Sequence, residues 1–330
     1  MISGLTQGLK FVFNMSTFQN TTSSSIIFLL TGVPGLEAFH TWISIPFCFL
    51  YVTALSGNSL ILFAITIQPS LHEPMYYFLS MLSTTDLGLS ISTLVTMLGI
   101  FWFNVREISF NACLSQMFFI QLFTVMESSV LLAMAFDRFV AISNPLRYAT
   151  ILTDLKIAQI GVAIITRGTL ILTPMVVLLK RLSYCRSHVL HHSYCFHPDV
   201  MKLSCTDTST NSAVGFVALI TTAVVDSIFI VLSYVLIIKT VLSIASPEER
   251  KKAFNTCISH IGAVSVFYIP LISLSFVHRF GKQAPLYVHT LIANAYLLIP
   301  PVMNPIIYSV KTKQIRRAVI KVLLSRVPMN

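Results

Sequence analysis

Residues 42–67 read WISIPFCFLYVTALSGNSLILFAITI, a run without a single Asp, Glu, Lys or Arg. A helix rises ~1.5 Å per residue, so about 20 mostly apolar residues cross a hydrocarbon core ~30 Å thick. This stretch is long enough to do so. Six more qualify: 74–103, 112–136, 157–179, 208–238, 253–277 and 286–310. Four of them carry one charge each (Asp86, Glu127, Arg167 and Asp226) and the other two carry none. The sequence therefore predicts an all-α membrane protein built as a seven-transmembrane helix bundle.

Composition supports that reading. Of 330 residues, 55% are apolar and 10% are charged, against about 25% charged in a soluble domain. A disordered chain needs the opposite balance. The net charge of +10 is too sparse for the wettable basic surface of a soluble nucleic-acid binder, so no nucleic-acid partner is expected. No internal repeat betrays a transporter made of duplicated halves, which leaves a seven-span transporter or channel as a remote alternative. The spans hold no nucleophile–base or metal-ligand set, so no enzyme and no catalytic residue is expected.

An odd number of spans places the termini on opposite sides, and Lys/Arg counts choose between them. With the N-terminus outside, thirteen Lys and Arg lie on the inner side and eight on the outer, with Arg167 inside a span. Asn14-Met15-Ser16 and Asn20-Thr21-Thr22 are glycosylation sequons ahead of the first span, and glycosylation at Asn14 or Asn20 requires that same orientation. No cleavable signal peptide is evident. The expected organisation is an extracellular segment over 1–41, a transmembrane domain over 42–310 and a cytoplasmic tail over 311–330, in a multi-pass protein of the plasma membrane. Within the tail, Lys313, Arg316, Arg317 and Lys321 alternate with Ile315, Val319, Ile320, Val322 and Leu323. That pattern suits an amphipathic helix lying on membrane lipids of the anionic inner leaflet.

Six cysteines divide by location. Cys48 and Cys257 sit in or beside spans, Cys113 at the outer end of the third, and Cys185, Cys195 and Cys205 in the long loop 180–207. Four cysteines on an oxidising face suggest two disulfides with three possible connectivities. His188, His191, His192 and His197 in the same loop resemble a metal cluster, but oxidised cysteines leave no thiolate, and a solvated, pH-sensitive lid is the commoner meaning.

Candidate ligand contacts gather at the outer end. Arg279 follows Pro270 by nine residues, about 13 Å along a helix, and its planar fork suits a carboxylate; an ordinary loop charge is the alternative. Ser275 sits one turn deeper, with Ile272 and Tyr268 below it. Gln121 lies about 12 Å below Cys113 and, with Ile120 and Thr124, faces the same region.

Several short motifs carry a family resemblance. The third span ends in Met134-Ala135-Phe136-Asp137-Arg138-Phe139-Val140-Ala141-Ile142 and the seventh in Asn304-Pro305-Ile306-Ile307-Tyr308. The second opens after Leu71-His72-Glu73-Pro74-Met75-Tyr76-Tyr77 and the sixth with Lys252-Ala253-Phe254-Asn255-Thr256-Cys257. With Gly57-Asn58 these resemble the signature set of olfactory receptors, which are rhodopsin-like G-protein-coupled receptors. Gly35-Leu36-Glu37, Ser183-Tyr184-Cys185 and His278-Arg279-Phe280-Gly281 are similar to the class I, fish-like branch and, within it, to family 51. Phe139 replaces the usual Tyr after Asp-Arg, a departure that removes no charged group.

The resemblance implies disulfides Cys113–Cys195 and Cys185–Cys205, the first holding His197 over the cavity beside Gln121 and Ser275. It implies a small-molecule odorant, associated in class I with carboxylic acids and other polar volatiles, anchored at Arg279. Asp137, Arg138 and Tyr308 would couple to the olfactory stimulatory heterotrimeric G-protein and raise cyclic AMP. Asp86 and Glu127, with Asn58 and Asn304, would form a sodium-and-water site; two protonated acids sharing hydrogen bonds are the alternative. No other cofactor is expected. A receptor expressed outside the nose that senses metabolic acids is the second functional reading. Arg167 and Asp226 receive no role.

Overall fold

The computed structural model describes residues 26–36, 39–185, 188–280 and 285–325, without the side chains of 252, 256, 278–280 and 324–325. Seven helices in it are long and apolar enough to cross a membrane: α1 His40–Ile67, α2 Pro74–Phe103, α3 Phe110–Ser143, α4 Asp154–Lys180, α5 Ser209–Leu242, α6 Pro247–Phe280 and α7 Leu286–Lys311. An eighth, α8 Lys313–Ser325, follows after a single residue. Local chemistry sets several boundaries. Ser109 and Thr153 cap α3 and α4 by accepting from the backbone N–H three residues on. Pro74 takes the first turn of α2, where its missing N–H is harmless. Proline lies inside α1 at Pro46, α4 at Pro174, α6 at Pro270 and α7 at Pro300, Pro301 and Pro305, and each helix continues through it.

The helices are apolar all round rather than amphipathic, as lipid-facing spans must be. Trp42, Phe49, Leu170 and Val231 face outward, and what turns inward is unusually polar: Asn58, Asp86, Glu127, Ser128, Asp226, His260 and Asn304 are all buried. In α5 the ladder widens into a π-helical stretch, Ile220–Val225. Helix α8 buries Ile315, Ala318 and Val322 and leaves Arg316, Arg317 and Ile320 exposed, the two-faced pattern expected of it.

One end of the bundle is roofed. Strands β1 Ile27–Leu30, β2 Glu107–Ser109 and β3 Val189–Leu190 form a three-stranded sheet with β1 in the centre, antiparallel to β2 and parallel to β3. Cys113 is bonded to Cys195 and Cys185 to Cys205, the pairing that the resemblance implies. Cys48 and Cys257 are free. A short helix, His197–Lys202, continues the loop across the bundle.

Candidate functional site

Beneath this roof lies a cavity of about 510 Å³. Helix α3 contributes Met117, Ile120, Gln121 and Thr124; α5 contributes Ser212, Gly215, Phe216 and Thr222; α6 contributes Leu271, Leu274 and Ser275. The loop supplies Phe196, His197 and Pro198, and α7 supplies Tyr296. The first disulfide positions the loop, and a second tie assists it: the Cys195 N–H donates to Gln116 Oε1 at 3.0 Å. The wall is mostly apolar with a few polar groups, the usual make-up of a small-molecule site. None of its described residues is Asp, Glu, Lys or Arg.

Gln121, His197, Ser275, Ile120 and Thr124 therefore meet in one cavity. Two expectations change. Ile272 is 59% exposed on the outer surface of α6, because the helical turn that brings Leu271 and Leu274 inward carries Ile272 out. Tyr268 is buried but lies outside the lining, its hydroxyl 2.9 Å from Ser128 Oγ. Arg279 falls in the last turn of α6; its side chain lies outside the described residues, as do Asn14 and Asn20.

The loop histidines also differ from a uniformly solvated lid. His188 and His191 are exposed, but His192 and His197 are buried. His192 Nδ1 lies 2.5 Å from Asp199 Oδ2, and Lys202 donates to Asp199 Oδ1 at 2.9 Å. Burial works against the Asp199 charge, yet these two partners hold its carboxyl below the ordinary carboxylate range. For His197 burial dominates and lowers the imidazole from 6.5 to about 4. It is a neutral group at neutral pH.

Under the cavity lies an ion pair that no sequence motif announced. Arg167 Nη2 on α4 is 2.9 Å from Asp226 Oδ1 on α5. Arg167 Nη1 also donates to Ser129 Oγ at 2.8 Å and Nη2 to the Thr221 carbonyl at 2.9 Å. Ser128 donates to Asp226 Oδ2 at 2.7 Å and lies 3.0 Å from the Thr222 carbonyl. Both acceptor carbonyls fall in the π-helical stretch, a type of irregularity common at functional sites. Four spans, α3 to α6, thus converge on one polar knot through Ser128, Arg167, Asp226 and Tyr268.

Deeper still, Asn304 Nδ2 donates to Asp86 Oδ1 and Oδ2 at 3.2 and 3.0 Å and to Glu127 Oε1 at 3.2 Å. Asn58 donates to the Ala54 and Pro301 carbonyls. That leaves Asn58 Oδ1, Asn304 Oδ1 and Ser90 Oγ buried without partners. Two carboxylates with spare oxygen acceptors nearby fit a hard cation, whose preferred ligands are oxygens.

At the end opposite the disulfides, Arg138 Nε is 3.8 Å from Asp137 Oδ2, and Tyr148 donates to Asp137 Oδ1 at 2.6 Å. His260 lies between the Tyr234 hydroxyl, at 2.6 Å, and the Leu131 carbonyl, at 3.0 Å. Tyr308 is buried with its hydroxyl 3.9 Å from Met134 Sδ. Asp137 and Arg138 thus form a close, buried pair. Tyr148, the hydrogen-bond partner of Asp137, comes from a separate short helix, Tyr148–Ile151, which no motif links to Asp137.

This arrangement has many relatives. A family model described as olfactory receptor matches residues 47–326. The chain is an olfactory receptor. It belongs to a family of G-protein-coupled receptors, and its relatives are family 51 members. Olfactory receptor OR51C1 of Homo sapiens is 80% identical over 307 residues, covering 93% of this chain and 98% of that one. Olfactory receptor 51F2 of Homo sapiens is 62% identical, covering 95% and 92%, and olfactory receptor 51F1 of Homo sapiens is 59% identical, covering 94% and 98%. The receptor is a multi-pass membrane protein, and its family implies an odorant ligand and G-protein coupling.

Proposed function

We propose that this receptor binds a small volatile, a carboxylic acid or another polar odorant, in the roofed cavity and activates the olfactory stimulatory G-protein to raise cyclic AMP. The observation that carries the reading is the cavity itself: about 510 Å³, mostly apolar, with Gln121, His197 and Ser275 in its wall. In this reading the roof is extracellular, consistent with its two disulfides, and the buried Asp137, Arg138 and Tyr308 lie toward the cytosolic end of the bundle. Arg279, one turn beyond Ser275 on α6, supplies the cation that the described lining lacks. Odorant held between Arg279 and α3 draws in the outer part of α6, loosens the Asp137–Arg138 pair and frees Arg138 for the G-protein. The basic face of α8 lies against anionic lipid headgroups.

The test is a cyclic AMP assay with the olfactory stimulatory G-protein and acids of graded chain length. Acid responses are expected to depend on Arg279, so Arg279→Ala should raise the effective concentration at least about tenfold, one lost charge-assisted contact. Unchanged potency at equal surface expression, or silence toward every acid, defeats the carboxylate anchor. Arg138→Ala should abolish signalling.

A sodium ion held by Asp86 and Glu127 is part of the same proposal. Exchanging choline for sodium should raise the melting temperature of the purified receptor, and Asp86→Asn should remove that rise. A sodium response that survives Asp86→Asn counts against the site.

A further inference from the structure

The loop contributes a continuous stretch to the cavity wall: Tyr194, Cys195, Phe196, His197 and Pro198 all line it. The disulfide to Cys113 pins this stretch at Cys195. A single pin lets a chain pivot, so a wall of fixed shape needs a hold on either side of it. Before Cys195 the hold comes from α7. Asn294 donates to Ser193 Oγ at 3.3 Å, and Tyr194 donates to the Ala293 carbonyl at 3.5 Å.

After Cys195 the loop supplies a hold of its own. His192 and Asp199, seven positions apart, flank the lining stretch, and His192 Nδ1 meets Asp199 Oδ2 at 2.5 Å. His192 is 4% exposed and Asp199 6%. The Asp199 and Val200 N–H groups both donate to the Phe196 carbonyl, at 3.0 and 3.1 Å, and so tighten the turn between the two. The His192 ring also lies against Phe196, with centroids 4.8 Å apart, and near Tyr194 at 6.1 Å.

Two disulfides and a sheet already hold the roof, and apolar side chains of similar volume would pack there without the cost of burying a carboxylate. What a buried, hydrogen-bonded pair adds is direction, since it is satisfied in one arrangement and costly in others. Lys202 occupies the other Asp199 oxygen but is 64% exposed, and exposed ion pairs contribute little. The weight therefore falls on His192.

We propose that His192 and Asp199 are positioning residues of the odorant site, clasping residues 194–198 in the shape that receives the ligand. Neither lines the cavity; both act through Phe196 and His197. A wall already held in its bound shape spares the odorant the cost of ordering it, so the clasp is read as potency. This rests on the roofed cavity being the odorant site, and not on the chemical class of the odorant or on Arg279.

The test uses the full-length receptor with the olfactory stimulatory G-protein and a panel of straight-chain acids, alcohols and ketones of graded length. It reads cyclic AMP potency at equal surface expression, and amide hydrogen exchange of the purified receptor. Asp199→Ala and His192→Phe, the latter keeping a ring against Phe196, are each expected to lower potency toward every active compound at least about tenfold. The double variant should be no weaker than the weaker single, because both remove one interaction. Lys202→Ala should stay within about twofold. Asp199→Asn, which keeps the shape, carries the same test with a smaller loss if Asp199→Ala does not reach the surface. In His192→Phe the Asp199 and Val200 amides should exchange at least about tenfold faster. Unchanged potency in the single variants overturns the clasp, and so does a double variant whose loss is the product of the two. A loss in Lys202→Ala equal to that in Asp199→Ala overturns the role of His192. Silence of the unsubstituted receptor toward the whole panel defeats the cavity reading instead. Exchange then decides the clasp by itself, with faster amides supporting it and unchanged ones overturning it.

Discussion

Alone, Arg167 or Asp226 would be costly in hydrocarbon, but side by side each removes the other's need for water. The sequence shows two isolated charges in different spans, and nothing in their spacing joins them; only the packing of α4 against α5 does. Breaking one partner leaves an uncompensated buried charge. Arg167→Met or Asp226→Asn should therefore cost about 3–5 kcal/mol, seen as a lower melting temperature of the purified receptor. Arg167→Met combined with Asp226→Leu should recover much of that loss. If the double variant melts no higher than the singles, the pair is not what the two residues are for. His197 makes a second residue-scale prediction. Its imidazole takes up a proton near 6.5 when unfolded and only at about 4 when folded, so the unfolded state binds more protons between those values. Stability should fall as pH drops from 6.5 to 4, by about 1.4 kcal/mol per unit, and level off below. Asp199 acts in the same direction over a lower window: its stabilisation is present above the ordinary carboxylate value of 3.8 and is lost as pH falls below it. Melting curves across pH should lose their His197 contribution, and hence most of this slope, in His197→Phe.

Helices meet closely where side chains are missing. At Gly88 on α2 an added Cβ would stand 2.3–2.6 Å from ring atoms of Phe123 on α3, far inside van der Waals contact. Gly57 on α1 has the same relation to Pro305 on α7, at 2.9 Å. Gly88→Ala should therefore push α2 from α3 and cost about 1–3 kcal/mol, while Phe123→Leu in the same chain should restore part of it. Thermal melting of the two variants checks this, and an undiminished melting temperature for Gly88→Ala would refute it. The spans themselves were legible, because twenty-odd apolar residues in hydrocarbon can satisfy their backbone only as a helix. The α8 pattern was legible for the same kind of reason, a period that separates two faces. The inward or outward direction of a given residue was not. In a helix that is apolar on all sides, Ile272 and Leu271 look alike until a neighbour chooses between them.

Over the whole molecule the roof is the least predictable part. The sheet draws β1 from before the first span, β2 from between α2 and α3 and β3 from the long loop. The disulfides join residues separated by 82 and by 20 positions. Closing the longer loop restrains the unfolded chain more, so Cys113→Ser should cost about 1 kcal/mol more than Cys205→Ser, within an overall range of about 2–5 kcal/mol. Reversed melting temperatures for the two variants would contradict that order. By itself the amino-acid sequence determined the class, the seven spans and the family, because hydrophobic length and short motifs are local properties. It also put Gln121, His197 and Ser275 in one neighbourhood. Tertiary structure alone decided that Arg167 meets Asp226, that His192 and His197 are buried and that Ile272 turns away from the cavity. Those outcomes depend on which faces of the helices approach one another, a choice that long-range packing makes.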